Sequence, residues 1–406
     1  MLSQRQKKVQ QYYTPKMRMN PFCKAEGRGL RSTRLRAGYW AMPFSCVRFC
    51  RKSVRLNVFT QKTEAKTILI RIVFISLHVY FTTNVTAMKH TRNIFVALIA
   101  CLATMNAGAA EKEEYLPYGN MNSWTIRKIH ESAVIGGDTK TLYEVGPNRT
   151  IEGNKPYVNG GGSPWGTSNV MAKVMGVVKT NNSVYRDKHG SGYCAKLETH
   201  IEKVRVLGLM NMKVLAAGSL FLGDMKEPIT GTKDGPKAMN NGIRFTKRPK
   251  ALRFDYMFKA AGTANRIRQN GFSKGKTVAG KDYAVVVLYL QKRAEDAKGN
   301  ITAKRVGTMV VRYGKSTGGW VDGATYEILY GDIRNNPHYD ASTMGLRTTD
   351  YARNSKGKSV PVKETGWASA HDTPTHLMLQ FSSSHGGAYI GSPGNTLWVD
   401  NVRLVY

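Results

Sequence analysis

The sequence predicts an all-β protein, an antiparallel β-sandwich of the jelly-roll kind. Three observations predict it. Apolar and polar residues alternate with a period of two in segment after segment. Gly, Pro, Asn and Ser cluster between those segments, and no long stretch carries a helical period.

Val170–Val178 is an apolar run, and Tyr193–Thr199 sets Tyr193, Ala195 and Leu197 against Cys194, Lys196 and Glu198. That parity points Cys194 toward charged neighbours and away from an obligatory core position. In Leu252–Lys259 the residues Leu252, Phe254, Tyr256 and Phe258 alternate with Arg253, Asp255, Met257 and Lys259, as a half-buried strand requires. Tyr283–Leu290 is continuously apolar, the pattern of a central strand covered on both faces. Thr308–Tyr313, Tyr326–Tyr330, Thr375–Ser382 and Thr396–Tyr406 complete the set. In the last of these, parity places Trp398, Asp400, Val402 and Leu404 on one face, making Trp398 core. Asn240-Asn241-Gly242, Lys298-Gly299-Asn300, Gly318-Gly319 and Gly391–Asn395 suit turns with positive φ.

The chain opens unlike a domain. Residues 1–87 hold 17 Lys/Arg against 2 Asp/Glu with no consistent period, and read as translated upstream sequence with a misassigned start, expected to be disordered. The other reading is a genuine basic arm. At Met88 a new pattern begins: Lys89 and Arg92, an apolar stretch from Ile94 to Met105, and the small residues Ala107–Ala110. This is the layout of a secretory signal peptide over 88–110. The segment Leu98–Cys101 also fits a bacterial lipobox, which would make Cys101 a lipidated N-terminus and associate the protein with the outer membrane. Residues 111–121 then form a short lead-in and 122–406 the sandwich, with a small subdomain over 121–169 as the alternative. Secretion, to the periplasm or the outer-membrane surface, is the expected localisation. Cys194 is the single cysteine after residue 101, so no internal disulfide holds the sandwich together.

Residues 111–406 carry 42 Lys/Arg against 25 Asp/Glu, spread along the chain. Scattered lysine is an ordinary solvated surface, with an anionic partner as the alternative. No helix-turn-helix, zinc-finger or RNP pattern accompanies the charge, which argues against nucleic acid. Gly314-Lys315-Ser316 lacks the upstream glycine of a phosphate loop, and neither GxSxG nor HExxH occurs. His338, His371, His376 and His385 match no metal spacing. A glycosidase needs two facing carboxylates. Asp322, Glu327, Asp332, Asp340, Glu364 and Asp372 supply candidates that sequence cannot pair.

Binding a sugar asks for less: an aromatic face for the C–H side of a pyranose and amide, carboxylate or guanidinium groups for its hydroxyls. Trp165, Trp320 and Trp367 lie among Gly, Ser and Thr, where a stacking role competes with a core or loop-anchoring one. His385 and Tyr389 are further stacking candidates. Asp400, on a face shared with apolar residues, needs either backbone donors or a structural Ca²⁺. No other cofactor is expected.

From about Asn122 onward the chain resembles the putative carbohydrate metabolism domain family of secreted gut Bacteroidetes proteins. The likeness rests on Trp165–Asn169 (WGTSN), Gly192–Thr199 (GYCAKLET), Ala216–Gly223 (AAGSLFLG), Gly242–Tyr256 and Leu397–Leu404 (LWVDNVRL). The resemblance implies a jelly roll like those of galactose-binding or carbohydrate-binding modules and brings no catalytic residues with it. Together these readings describe a glycan-binding accessory of polysaccharide utilisation. The alternatives are a glycoside hydrolase or lyase, and a structural or adhesion module.

Overall fold

The computed structural model describes residues 111–406 except 160–161, 207–209 and 273, and residue 71 of the part before them. The upstream extension, the signal-peptide pattern and Cys101 thus lie outside the described residues, residue 71 apart.

Eight strands make the sandwich. In chain order they are Gly192–Glu198, Ser219–Met225, Ala251–Lys259, Ala284–Glu295, Ile301–Tyr313, Val321–Glu327, His376–Ser382 and Thr396–Val405. The first, eighth, third and sixth lie side by side in one sheet, and the second, seventh, fourth and fifth in the other. Every neighbouring pair among them is antiparallel. This interleaving is that of a jelly roll, as the sequence predicts. The smaller sheet gains Val184–His189 at one edge, and Glu113–Tyr115 pairs with the end of the terminal strand. The lead-in is therefore part of the sheet. The larger sheet gains Ser359–Trp367, parallel to Ile301–Tyr313, then Asp350–Arg353 at its edge. A separate three-stranded sheet is built from Trp124–His130, Thr139–Val145 and Arg149–Glu152.

The two sheets meet along the faces that alternation assigns to them. Leu252, Phe254, Tyr256 and Phe258 from the smaller sheet join Val286, Leu288, Leu377, Leu379 and Phe381 from the larger in one core. Phe254 meets Phe381 edge-on across the layers, with ring centroids 5.2 Å apart, and Trp165 approaches the same Phe381 at 6.5 Å.

The terminal strand corrects one expectation. Leu397 and Val399 point into the core, and so do Val402 and Leu404. The two sets differ in parity because the pairing with Ala251–Lys259 slips between Arg253 and Asp255, where Asn401 takes φ +52°. This β-bulge sets two residues against one and reverses the sides. Trp398 consequently stands on the outer face, half-buried, its indole N–H donating to Asp187 Oδ2 at 2.8 Å. Cys194 points toward charged neighbours, as its parity predicts. It is fully buried although it leaves the core side, because Asp187 and Asp400 crowd the outer face there. Burial, followed by those two charges, pushes its thiol pKa up to about 12, so it is an inert cysteine.

At the other end of the larger sheet, Arg244 and Gln291 flank His376 across the strands, and Arg293 donates from Nε to Gln291 Oε1 at 2.8 Å. Burial, then Arg293 and Arg244, pushes the His376 pKa down to about 3.

Two outcomes are expected. Phe381→Ala, which empties the meeting point of the layers, lowers unfolding free energy by about 3–5 kcal/mol in a denaturant titration. An unchanged midpoint would place the core elsewhere. His376 stays neutral in the fold where the unfolded chain protonates near 6.5, so between the two values the unfolded state binds more protons. Stability is full above that window and falls as pH drops through it. His376→Gln flattens the slope, and an identical slope in the variant refutes the assignment.

Candidate functional site

Over Ala284–Leu290 the strand Ala284–Glu295 is apolar on its outer side as well as its inner one, and on that outer side the larger sheet carries a cleft of about 740 Å³. Strand register lays out its floor. Ser219, Ser382, Val285 and Arg312 form one row across four strands. Phe221, Gln380, Val287 and Val310 form the next, and Met378, Tyr289 and Thr308 the one after. Hydrogen-bonding side chains thus sit in line with apolar faces.

Buried carboxylates set the walls. The hairpin of Val170–Val174 and Val177–Asn181 is pinned on both strands at its open end, through the cross-strand pair Met171 and Thr180. Glu227 accepts from the Met171 amide at 2.9 Å and receives both terminal nitrogens of the buried Arg127. Glu131 accepts from the Thr180 amide at 2.8 Å and hydroxyl at 2.6 Å. On the opposite side Arg305, buried and 3.5 Å over the Tyr289 ring, is paired with Glu364 through two nitrogens. The same Glu364 accepts from the Arg347 amide at 2.7 Å, fixing the segment whose Ser342, Thr343, Arg347 and Thr349 border the cleft. A second hairpin, His200–Val206 with Met210–Ala216, presents Glu202, Val204, Met212 and Val214 to the cleft.

Glu202 and Asp350 are the carboxylates of the lining, and each is held by cations. Lys179 Nζ lies 3.6 Å and His200 Nε2 3.4 Å from Glu202. Although burial acts to raise its pKa, the His200 hydrogen bond and Lys179 outweigh that and leave it below the usual carboxylate range. Asp350 accepts from Arg347 Nε at 2.8 Å and from its terminal nitrogen at 3.1 Å. A general acid needs a pKa raised toward the working pH. Glu202 is shifted the other way.

The residues singled out in the sequence fall in four places. Trp165 is 0% exposed and donates its indole N–H to Pro117 O at 2.7 Å. It is core, and the stacking expectation for it is corrected: no face is open to a ligand. Trp320 stacks on His189, with centroids 3.7 Å apart, over the outer face of the smaller sheet. Trp367 lies in a shallow depression of about 670 Å³ with Tyr339, Asp332, Arg334, Thr365 and Ser369. His385 and Tyr389 line the cleft. His385 is held by Asp282 at 2.9 Å, and Tyr389, at φ +66°, donates its hydroxyl to Thr232 O, joining two loops of the rim.

Asp400 receives His189 Nδ1 at 2.7 Å and the Asn401 amide at 2.7 Å. These protein donors account for its burial, and an imidazole against one of its oxygens does not make a calcium cage. Among the described residues no group of three or more His, Cys, Asp or Glu is placed to hold a metal ion. Of the six carboxylates considered for hydrolysis, Glu364 is buried under Arg305 and Asp332 is paired with Arg334 at 2.6 Å. The floor residues Val285, Val287, Gln380 and Arg312 were missed in the sequence. The available signal was the unbroken apolar run over 283–290, which places valines on both sides of the sheet.

Among curated proteins there is no match. A solved structure titled as a putative glycoside hydrolase from Bacteroides thetaiotaomicron is 19% identical over 70% of this chain and 71% of that chain. Its TM-score of 0.38 is a level of likeness that carries no argument about fold or chemistry. The profile described as "Putative carbohydrate metabolism domain" matches residues 148–405, from just before Arg149–Glu152 to the end of the terminal strand, and the chain belongs to that family.

Proposed function

We propose that the protein binds a glycan without cleaving it, in the cleft on the outer face of the larger sheet, and serves polysaccharide utilisation outside the cytoplasm. One observation carries the reading: the floor sets Ser382, Gln380 and Arg312 in register beside Val285, Val287 and Val310. A pyranose has apolar C–H faces and a rim of hydroxyls, and such a floor offers a surface to each. The cleft's size suits a short run of sugar rings. Trp367, beside Tyr339, is the stacking face for a further ring. The pairing of Glu202 with His200 and Lys179, and of Asp350 with Arg347, supports binding over hydrolysis. Family membership supports the carbohydrate as ligand class, and the signal-peptide pattern over 88–110 supports secretion.

Affinity electrophoresis against a polysaccharide panel tests the reading. Val287 is half-buried and faces the cleft, so Val287→Trp fills the site while sparing the core; retention is expected to weaken about tenfold, a change of ~1.4 kcal/mol, with an unchanged circular dichroism spectrum. Undiminished retention would move the ligand off this floor. Trp367→Ala is expected to weaken retention by a few-fold, the worth of one stacked ring (~0.5–1.5 kcal/mol). No reducing ends should appear in a long incubation with any retained polysaccharide, and their release would replace binding by hydrolysis.

A further inference from the structure

We infer that the glycan is polyanionic, a uronate-rich or sulfated polymer that leaves the cleft across a basic rim; the inference rests on the binding reading above. The rim is built with unneutralised cations. In the hairpin of His200–Val206 and Met210–Ala216, Lys203 stands directly opposite Lys213, and Arg205 follows on the same side. Like charges set face to face on a sheet oppose strand pairing, and this arrangement is relieved by an anion lying across both.

Lys233 and Lys237 are exposed on the segment whose Gly231, Thr232, Gly235 and Pro236 border the cleft. Arg312 is exposed at the end of the first floor row. Among the described residues none of these six cations lies within ion-pair distance of a carboxylate, whereas the basic groups against the cleft's own carboxylates, Lys179, His200 and Arg347, are all engaged. The two acids of the lining, Glu202 and Asp350, are neutralised while these six cations are not; Asp234, between Lys233 and Lys237, accepts from Thr230 Oγ1 at 2.7 Å and leaves the rim with a net positive balance. A neutral glycan would gain nothing from that asymmetry. Lys203, Lys213 and Arg205 point away from the side that Val204 and Val214 present to the cleft, so a ligand short enough to stay inside would not reach them. A polymer crossing the rim would.

The test is retention of the full chain in gels containing polygalacturonate, a sulfated galactan, a neutral β-glucan, a neutral mannan or polyacrylate, at low and at physiological salt. The expected result is retention by one of the acidic polysaccharides, falling as salt shortens the Debye length from about 30 Å at 0.01 M to about 8 Å at 0.15 M. Arg312→Gln is expected to weaken it about tenfold, the scale of one charge-assisted contact. The Lys203→Gln/Lys213→Gln double variant should weaken it about threefold, as exposed charges do. These positions are exposed, and thermal unfolding of both variants should match the parent. Equal retention by the neutral glycans overturns the inference and leaves the binding reading standing. Equal retention by polyacrylate, which has no pyranose, reduces the rim to an ion exchanger and also overturns it. Parent-like retention in both variants does the same. Retention by none of the polysaccharides removes the binding reading, and the inference with it.

Discussion

Over Ala284–Leu290 the strand Ala284–Glu295 has no polar side to give to water, and the rest of the fold answers to that. Its inner residues Val286, Leu288 and Leu290 are satisfied by the smaller sheet. Its outer residues Val285, Val287 and Tyr289 need a second cover, because leaving such side chains in water forgoes roughly 1.5–3 kcal/mol each. Two hairpins and the loops around residues 229–239 and 342–349 supply that cover only at the margins. What remains between them is the cleft. Its apolar floor is thus a consequence of a central strand flanked on both sides, and the hydrogen-bonding groups come from its neighbours, where Gln380 and Ser382 share the register of Val287 and Val285.

The margins are placed by buried charge. Arg127, Glu144 and Glu227 form one buried network, and Arg305 with Glu364 another. Taking ions out of water is expensive, and such pairs bring little net stability over an apolar substitute. Their value here is directional. Glu227 engages a guanidinium and the backbone amides of Tyr157 and Met171 at once, so its position ties three segments distant in sequence. Glu364 does the same for Arg305, Gln291 and the Arg347 amide. Apolar contacts would tolerate sliding of these segments, whereas hydrogen bonds to one carboxylate do not.

Much of the sandwich was legible because period-two alternation is a local property. Leu252, Phe254, Tyr256 and Phe258 announce their side of the sheet without any knowledge of what covers it. The failures came where a non-local event intervened. The bulge at Asn401 reversed the parity of the terminal strand, and nothing in Trp398–Leu404 marks it, since Asn401 is an ordinary strand residue until its φ is known. Trp165 looked like a loop residue among Gly, Ser and Pro, yet it adds a short strand beside Leu222 and fills the core. Of the candidate site, His385 and Tyr389 were found through their loop, while the floor was hidden: the outward valines read as core, and only the pairing of strands shows that they face open space.

The two outer faces of the sandwich have different ends. Over the smaller sheet, Trp320 stacks on His189, His189 binds Asp400 and Trp398 binds Asp187, so the polar groups there are spent on one another. Over the larger sheet the lining carboxylates are likewise spent, on Lys179, His200 and Arg347, but among the described residues the guanidinium of Arg312 has no carboxylate within ion-pair distance and acts on Asp340 only from farther away. The state of Glu202 matters most in that contrast. A carboxyl left to burial alone would rise in pKa and become a proton donor in a sugar-sized space, the first requirement of a hydrolase. Here the imidazole of His200 and the ammonium of Lys179 outweigh burial and move Glu202 the other way, so its charge is already answered before a ligand arrives. The proposed binding of an anionic glycan draws on that contrast: the acids of the lining are already paired, the exposed base is not, and the same pairing favours retention of such a ligand over its cleavage.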